Sequence, residues 1–482
     1  MSESNAEGHG NRHQVEEADP ATVKKAVAGA AIGNGVEWFD YAVYAYLTTQ
    51  IGLNFFPDFS PTAQSIFVFA GIAIPFVLRP LGGIILGPLG DRYGRRQVLA
   101  VTIVLMAGAT FLIGLLPSFT VIGLAAPILL LTFRLVQGFS TGGEYGGAAT
   151  FIAEYAPHKR RGFFGSFLEF GTLAGTVLGA ILATAVQLGL SEEALNSWGW
   201  RIPFLVAGPL GLVGFYLRSK LEDTPAFRAA EQDHTTTSAP FREVCRNVWP
   251  QILHLIGFVM LLNVANYTLL TYMPSYLTDT IDIDETEALF VLIGVMLIMM
   301  VIITPIGRLS DRIGRKPLLL GSAISTLVLA LPAFWLISQK SWLPVTIGIA
   351  ILGLQLVMML GVIGSALPAM FPTRNRYGGF SIGYATSTAA FGGTAPLINE
   401  SLIAATGNTY IPAFYLMLSA AVAIYPLIKM PETAGLDISH PTRIPGTDHY
   451  VPEREPAMAG APSSTRGATP PPTTGDGGSS AG

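Results

Sequence analysis

The sequence predicts an all-α membrane protein in which twelve transmembrane helices form two pseudo-symmetric six-helix halves. Composition and an internal repeat carry this expectation. Half of the 482 residues are hydrophobic, only 12% are charged, and the mean hydropathy is +0.49, whereas a soluble chain is about a quarter charged. Several apolar stretches reach roughly the 20 residues needed to cross about 30 Å of hydrocarbon. The repeat is a short basic loop that occurs twice, as GPLGDRYGRR from Gly87 to Arg96 and GRLSDRIGRK from Gly307 to Lys316. A second pair, Pro157 and Arg161 in PHKRRG against Pro372 and Arg376 in PTRNRY, keeps nearly the same register. Two related halves with basic loops at equivalent places are an architecture that many transporters use.

Taken in order, residues 1–23 form a polar tail without the apolar core of a cleaved signal peptide. Helices are expected at about 26–50, 64–87, 97–117, 121–154, 162–188 and 200–219, which places the first bundle within 24–219. A polar linker at 220–248 follows. The second bundle, within 249–430, has helices at about 249–277, 288–307, 317–338, 342–370, 377–405 and 410–430. Beyond Pro431 the chain is rich in Pro, Ser, Thr and Gly, and residues 431–482 are expected to form a disordered tail without heptads.

Charge placement sets the orientation. Lys24, Lys25, Arg92, Arg95, Arg96, Lys159, Arg160, Arg161, Arg312, Arg315 and Lys316 fall on one side. The alternate loops hold Glu192 and Glu193, and then Asp279, Asp282, Asp284, Glu285 and Glu287. By the positive-inside rule both termini are cytoplasmic, so a multi-pass protein of the cell (inner) membrane is expected, with the lipid bilayer as its surroundings. Cys245 is the single cysteine, so no internal disulfide forms, and no metal-ligand cluster is expected. No phosphate-binding G-x-x-x-x-G-K-[ST] loop occurs and no DNA-binding pattern follows the last helix. These absences argue against a primary pump, an enzyme and a nucleic-acid partner.

The twice-occurring loop resembles the signature of the major facilitator superfamily. Further stretches narrow the resemblance: GNGVEWFDY (Gly33–Tyr41), RPLGG (Arg79–Gly83), RLVQGFSTGGEYGGA (Arg134–Ala148), WGWRIPF (Trp198–Phe204), LLTYMPSYL (Leu269–Leu277) and LPAMFPT (Leu367–Thr373). Together they look like the metabolite:proton symporters, most like the proline/glycine-betaine branch, over about residues 24–430. The resemblance implies the major facilitator fold and alternating access. It also implies a small-molecule substrate and protons as partners, with a proton gradient in place of any cofactor. In that superfamily the loop Asp and Arg tie helix ends together, so Asp91, Arg92, Arg95, Asp311, Arg312 and Arg315 inherit a gating role, joined by Arg161.

Ionisable residues deep in a membrane helix cost a few kcal/mol and mark function by default. Here they are concentrated in the first half, as Glu37, Asp40, Arg79, Arg134, Glu144 and Glu169. On helix 1, Asn34, Glu37, Tyr41 and Tyr44 share a face with Asp40 at its edge, and on helix 4 Arg134, Gln137 and Glu144 do the same. Arg134 and Glu144 lie ten residues apart, roughly 15 Å along a helix, so each needs a partner elsewhere. The arginines stay charged and must meet an acid, a carbonyl or an anionic substrate. A carboxylate that exchanges partners can load and release a proton, which makes Glu37, Asp40, Glu144 and Glu169 the coupling candidates. Asn263, Asn266 and Tyr267 on helix 7 could supply the second half's share of a cavity. Trp38, Tyr41, Tyr44 and Tyr267 offer ring faces to an ammonium, and arginine offers a fork to a carboxylate. Proline or glycine betaine carries both groups. Purely structural ion pairs and aromatic packing remain alternatives. So do an organic-acid symporter of the 2-oxoglutarate, citrate or shikimate type and a membrane sensor that binds solute without moving it.

Overall fold

The computed structural model describes residues 20–93, 95–219 and 241–436. Twelve helical rods run through these residues. The first six are α1 Pro20–Tyr46, α2 Pro61–Tyr93, α3 Arg95–Leu115, α4 Ala125–Tyr155, α5 Arg161–Gly189 and α6 Arg201–Ser219. The next is α7, which runs as Phe241–Tyr267 with a non-helical residue at Val248 and continues through π-helical turns at Thr268–Tyr272 and Tyr276–Thr280. Then come α8 Glu285–Ile313, α9 Arg315–Ile337, α10 Trp342–Ala366, α11 Thr373–Ser387 and α12 Ile411–Lys429. After Ser387, α11 continues through a π turn at Thr388–Gly392 into Ala395–Thr406.

Among the described residues, eight segments are long and apolar enough to span a bilayer on composition alone. Neither α1 nor α4 is one of these eight. Each carries ionisable residues at mid-helix, Glu37 and Asp40 in α1 and Arg134 and Glu144 in α4, and these lower its hydropathy. Burial against neighbouring helices rather than exposure to lipid makes such helices tolerable.

Packing repeats between the halves. In the first, α1 lies against α5, α2 against α4 and α3 against α6. In the second, α7 lies against α11, α8 against α10 and α9 against α12. Across the halves, α5 runs along α8 and α10, while α2 meets α11. Close approach within the first half depends on glycine. A Cβ on Gly175 of α5 would sit 2.0 Å from the Gly35 carbonyl oxygen of α1, and one on Gly142 of α4 would sit 2.0 Å from the Arg79 carbonyl oxygen of α2. Small residues at such crossings let backbones touch where lipid gives no hydrophobic drive to associate.

One expectation is corrected here. The segment after Pro431, expected to be disordered, is seated as far as Leu436, and Thr433 is fully buried. The reason is local: Glu432 satisfies backbone donors at the start of α9. Of the linker expected at 220–248, residues 241–248 instead form the start of α7; residues 220–240, the tail from 437 onward and residues 1–19 lie outside the described residues.

Candidate functional site

Two ion pairs organise the centre of the first half. Arg79 of α2 donates through Nη2 to Glu37 Oε1 at 2.5 Å and to the Tyr41 hydroxyl at 2.7 Å. Its guanidinium also lies 4.3 Å from the centre of the Phe76 ring. Arg79 and Glu37 are both buried. Glu37 Oε2 and Arg79 Nε have no hydrogen-bond partner, so each half of the pair keeps unused bonding capacity.

The second pair lies alongside. Arg134 of α4 donates through Nη1 to Asp40 Oδ2 at 2.7 Å and to Gln137 Oε1 at 2.8 Å, and its Nε reaches the Gly71 carbonyl at 3.2 Å. Gln137 Nε2 donates to Asp40 Oδ1 at 2.9 Å and to Thr110 Oγ1 at 2.8 Å. The guanidinium stacks over Tyr44, 4.1 Å from the ring centre. The polar residues of α1 are thus divided: Glu37 and Tyr41 attend Arg79, while Asp40, at the edge of their face, and Tyr44 attend Arg134.

Glu169 of α5 is held differently. Its carboxylate accepts from the Tyr145 hydroxyl at 2.6 Å and from Thr172 Oγ1 at 2.9 Å, both neutral donors. Asn34 reaches the same cluster, donating to Thr172 Oγ1 at 2.6 Å and to the Leu168 carbonyl at 2.9 Å. Tyr145 stacks face to face on Tyr384 of α11, with centroids 4.1 Å apart at 9°. The Glu169 cluster therefore touches the second half through one ring. Glu144 is buried, and both it and Glu169 act electrostatically on Glu37.

An aromatic layer closes over Arg79. Tyr267 of α7 packs 5.4 Å from Trp38, 6.4 Å from Tyr41 and 5.3 Å from Phe76, centre to centre. Its hydroxyl is buried without a partner. Tyr267 is the last α-helical residue before the π turn at Thr268–Tyr272, and such turns are frequent at functional sites. Asn263 and Asn266 are buried on the same helix. Asn263 Nδ2 contacts Ser387 Oγ at 3.4 Å, and Asn266 Oδ1 has no partner. His254 is bonded locally, its Nδ1 lying 2.7 Å from the Pro250 carbonyl oxygen.

At the end that carries the basic loops, the halves are stitched together. Asp311 of α8 accepts from the backbone N–H groups of Gly162 at 2.7 Å and Phe163 at 2.9 Å, capping α5 from the opposite half. Arg161 is buried and donates to the Ala153 carbonyl at 3.0 Å and the Leu436 carbonyl at 3.1 Å. Arg315 donates through Nη1 to the Ser365 carbonyl at 3.0 Å and to Thr433 Oγ1 at 2.9 Å. Glu154 of α4 lies 3.6 Å from Arg376 of α11, a further bridge between halves. Burial raises the Glu432 proton affinity, but bonds from the backbone N–H groups of Arg315, Ala434, Lys316 and Thr433 outweigh it and hold the carboxyl below its ordinary value. Arg312 is exposed and lines a cavity of about 330 Å³ with Arg308 and Phe163. The side chains of Asp91, Arg92 and Arg95 lie outside the described residues.

The expected residues thus come together on α1, α2, α4 and α5, with Tyr267 added from α7. Sequence reasoning missed Phe76, Thr110, Tyr145, Thr172 and Tyr384 at the centre, and Glu154 and Glu432 at the basic end, where the sequence marks Arg376 only as the repeat of Arg161. Tyr145 had a visible signal, since it neighbours Glu144 inside a polar helix. Tyr384 and Glu432 had none, because their partners are supplied from remote parts of the chain.

Comparison with known proteins agrees with this architecture. A family model described as sugar (and other) transporter matches residues 26–246 and 229–444. The glycine betaine/proline/ectoine/pipecolic acid transporter OusA of Dickeya dadantii is 42% identical over 425 residues, covering 86% of this chain and 85% of that protein. The proline/betaine transporter of Escherichia coli K12 is 42% identical over 427 residues with the same coverage. The ectoine/proline transporter ProP of Corynebacterium glutamicum is 38% identical over 429 residues, again covering 86% and 85%. Among solved structures, the proton:xylose symporter XylE bound to 6-bromo-6-deoxy-D-glucose aligns with a TM-score of 0.72 at 18% identity, covering 88% of this chain and 99% of that one. That likeness bears on fold alone. The chain belongs to the sugar (and other) transporter family and is a multi-pass membrane transporter of the major facilitator fold.

Proposed function

We propose that the protein takes up a small zwitterionic compatible solute, such as proline or glycine betaine, together with a proton. The carrying observation is the Arg79–Glu37 pair lying beneath the rings of Trp38, Tyr41 and Tyr267. Arg79 is the fork for a solute carboxylate, and the rings are the surface for its ammonium. A proton arriving at Glu37 removes the charge that holds Arg79, so the solute carboxylate takes that place. Opening toward the cytoplasm returns Glu37 to Arg79 and expels both passengers. The names of the relatives, which refer to proline, betaine and ectoine, support the solute class.

In this reading Asp40, Arg134 and Gln137 set the position of α1 against α4, while Glu144 and Glu169 serve the proton's path. Asp311, Arg161 and Arg315 close the cytoplasmic end, and both chain termini lie on that side. A dicarboxylate substrate is less well suited. Arg79 and Arg134 each hold a carboxylate of the chain itself, so neither of these two central arginines stands free for a second carboxylate.

The test is uptake of radiolabelled proline and glycine betaine into proteoliposomes under an inward proton gradient, with and without a protonophore, in iso-osmotic and hyperosmotic media. Saturable uptake that collapses with the protonophore is expected. Absence of uptake in both media, with 2-oxoglutarate carried instead, overturns the reading.

A further inference from the structure

A second polar cavity, of about 380 Å³, opens on the face away from the basic loops, where the short helix Thr48–Phe55, the end of α5 and residues 190–196 beyond it meet the start of α8. Thr49, Gln50, Thr184, Gln187, Glu192, Asn196, Glu285 and Thr286 give it its polar lining, and among the described residues no lysine or arginine lines it. Gln187 crosses its mouth. Its Nε2 donates to Glu285 Oε1 of α8 at 2.9 Å and to the Tyr46 carbonyl of α1 at 3.3 Å. With the amide nitrogen used twice, Gln187 Oε1 is left buried and without a partner. Gln50 Oε1 and Thr184 Oγ1 are orphaned in the same way, on residues only 7% and 6% exposed. All three atoms belong to residues that line the cavity, and since buried polar atoms are nearly always paired, they are bonding capacity that the described residues leave unused there.

The chemistry that would use this capacity is legible. Two amide oxygens and a hydroxyl oxygen have no donor, and two carboxylates, Glu192 and Glu285, stand at the rim. The formal charge of the lining is negative, and the unpaired amide atoms in it are acceptors, beside hydroxyl and amide groups that can also donate. We infer that this cavity is a vestibular binding site for the N–H donors of a primary or secondary ammonium, which captures such a solute before it reaches Arg79. The inference rests on the zwitterion-transport reading and refines it. A secondary ammonium such as that of proline satisfies Gln50 Oε1 and Gln187 Oε1. A quaternary ammonium has no N–H to give and passes through unassisted. The site therefore discriminates between two solutes that the central aromatic layer treats alike.

The test compares proline with glycine betaine. A lost hydrogen bond weakens binding modestly, so Gln50→Leu raises the half-saturation concentration for proline about three- to tenfold and leaves that for glycine betaine unchanged. A parallel shift for both solutes, or none for proline, overturns the inference. A second measurement does not depend on transport. In a Cys245→Ser background, Thr49→Cys is labelled from outside with a membrane-impermeant maleimide. Proline slows the labelling while N,N-dimethylproline does not, and adding Gln50→Leu abolishes the protection. Equal effects of the two compounds, or none from proline, overturn the site. If the unaltered protein takes up neither solute, the transport reading fails while the labelling still decides the site.

Discussion

Asp311 Oδ1 on α8 accepts a hydrogen bond from the backbone N–H of Gly162 on α5, 2.7 Å away, and its Oδ2 accepts from Phe163 at 2.9 Å. One carboxylate from the second half therefore caps a helix of the first, where the helix dipole favours negative charge. The same Asp belongs to the repeated loop, and Gly162 leaves no room for a larger residue, since a Cβ there would lie 2.7 Å from Asp311 Oδ1. Asp311→Ala removes a cap worth about 1 kcal/mol, so the closed state of this end loses about fivefold in population. Cysteine labelling at this interface, with a reagent added from the basic-loop side, speeds up by that factor. An unchanged rate counts against a gating role for Asp311.

Arg79 and Glu37 separate stability from coupling. Arg79→Ala leaves a buried carboxylate unpaired and costs about 3–5 kcal/mol, which appears as a lower detergent melting temperature. Glu37→Gln keeps the volume and removes the proton site. Accumulation driven by a pH gradient is lost, while solute exchange without a gradient continues. If Glu37→Gln still accumulates solute, coupling resides at another carboxylate, with Glu169 the next to replace.

Glu432 gives the basic end a pH dependence. Its folded value lies below the ordinary 4.5 because backbone donors outweigh the effect of burial. Its contribution is therefore present in full above about 4.5 and is lost as pH falls through the lower folded value. Seating of Pro431–Leu436 against α9 should weaken only in that acidic window. Glu432→Gln weakens it at neutral pH and removes the dependence. Proteolysis of this strap as a function of pH measures the effect.

Gly142 is set by distance alone. A Cβ there would sit 2.0 Å from the Arg79 carbonyl oxygen, so Gly142→Ala pushes α2 away from α4 and displaces Arg79 from Glu37. Loss of uptake and a melting temperature several degrees lower are expected. Gly108, whose added Cβ meets nothing within 4 Å, provides the control, and Gly108→Ala leaves both unchanged. Loss of uptake in the Gly108 variant would mean that uptake does not report on this crossing.

The sequence settled more of the site than hydropathy alone would have done. Spacing placed Glu37, Tyr41 and Tyr44 on one face of α1, and Arg134 and Gln137 on one face of α4, because side-chain direction in a helix follows from residue number. The need of Arg134 for a partner on another helix also followed from length alone. What spacing could not give was which acid met which arginine. Asp40, read as the edge of its face, is the partner of Arg134, and Glu37 is the partner of Arg79. Crossing position and rotation of α1 between α2 and α4 decide that pairing, and neither is written in a single helix.

By itself the sequence determined the membrane-spanning class, the repeated loop and the face on which each buried charge lies. These follow from hydrophobic length and helical periodicity, which are local properties. Only the tertiary structure decided the Tyr145–Tyr384 stack, the Asp311 cap on α5 and the seating of Glu432 on the start of α9. Each joins segments far apart in the chain, so its energy depends on how two rigid rods approach. That approach is set by the packing of all twelve, with glycine at the closest crossings, and no stretch of sequence contains it.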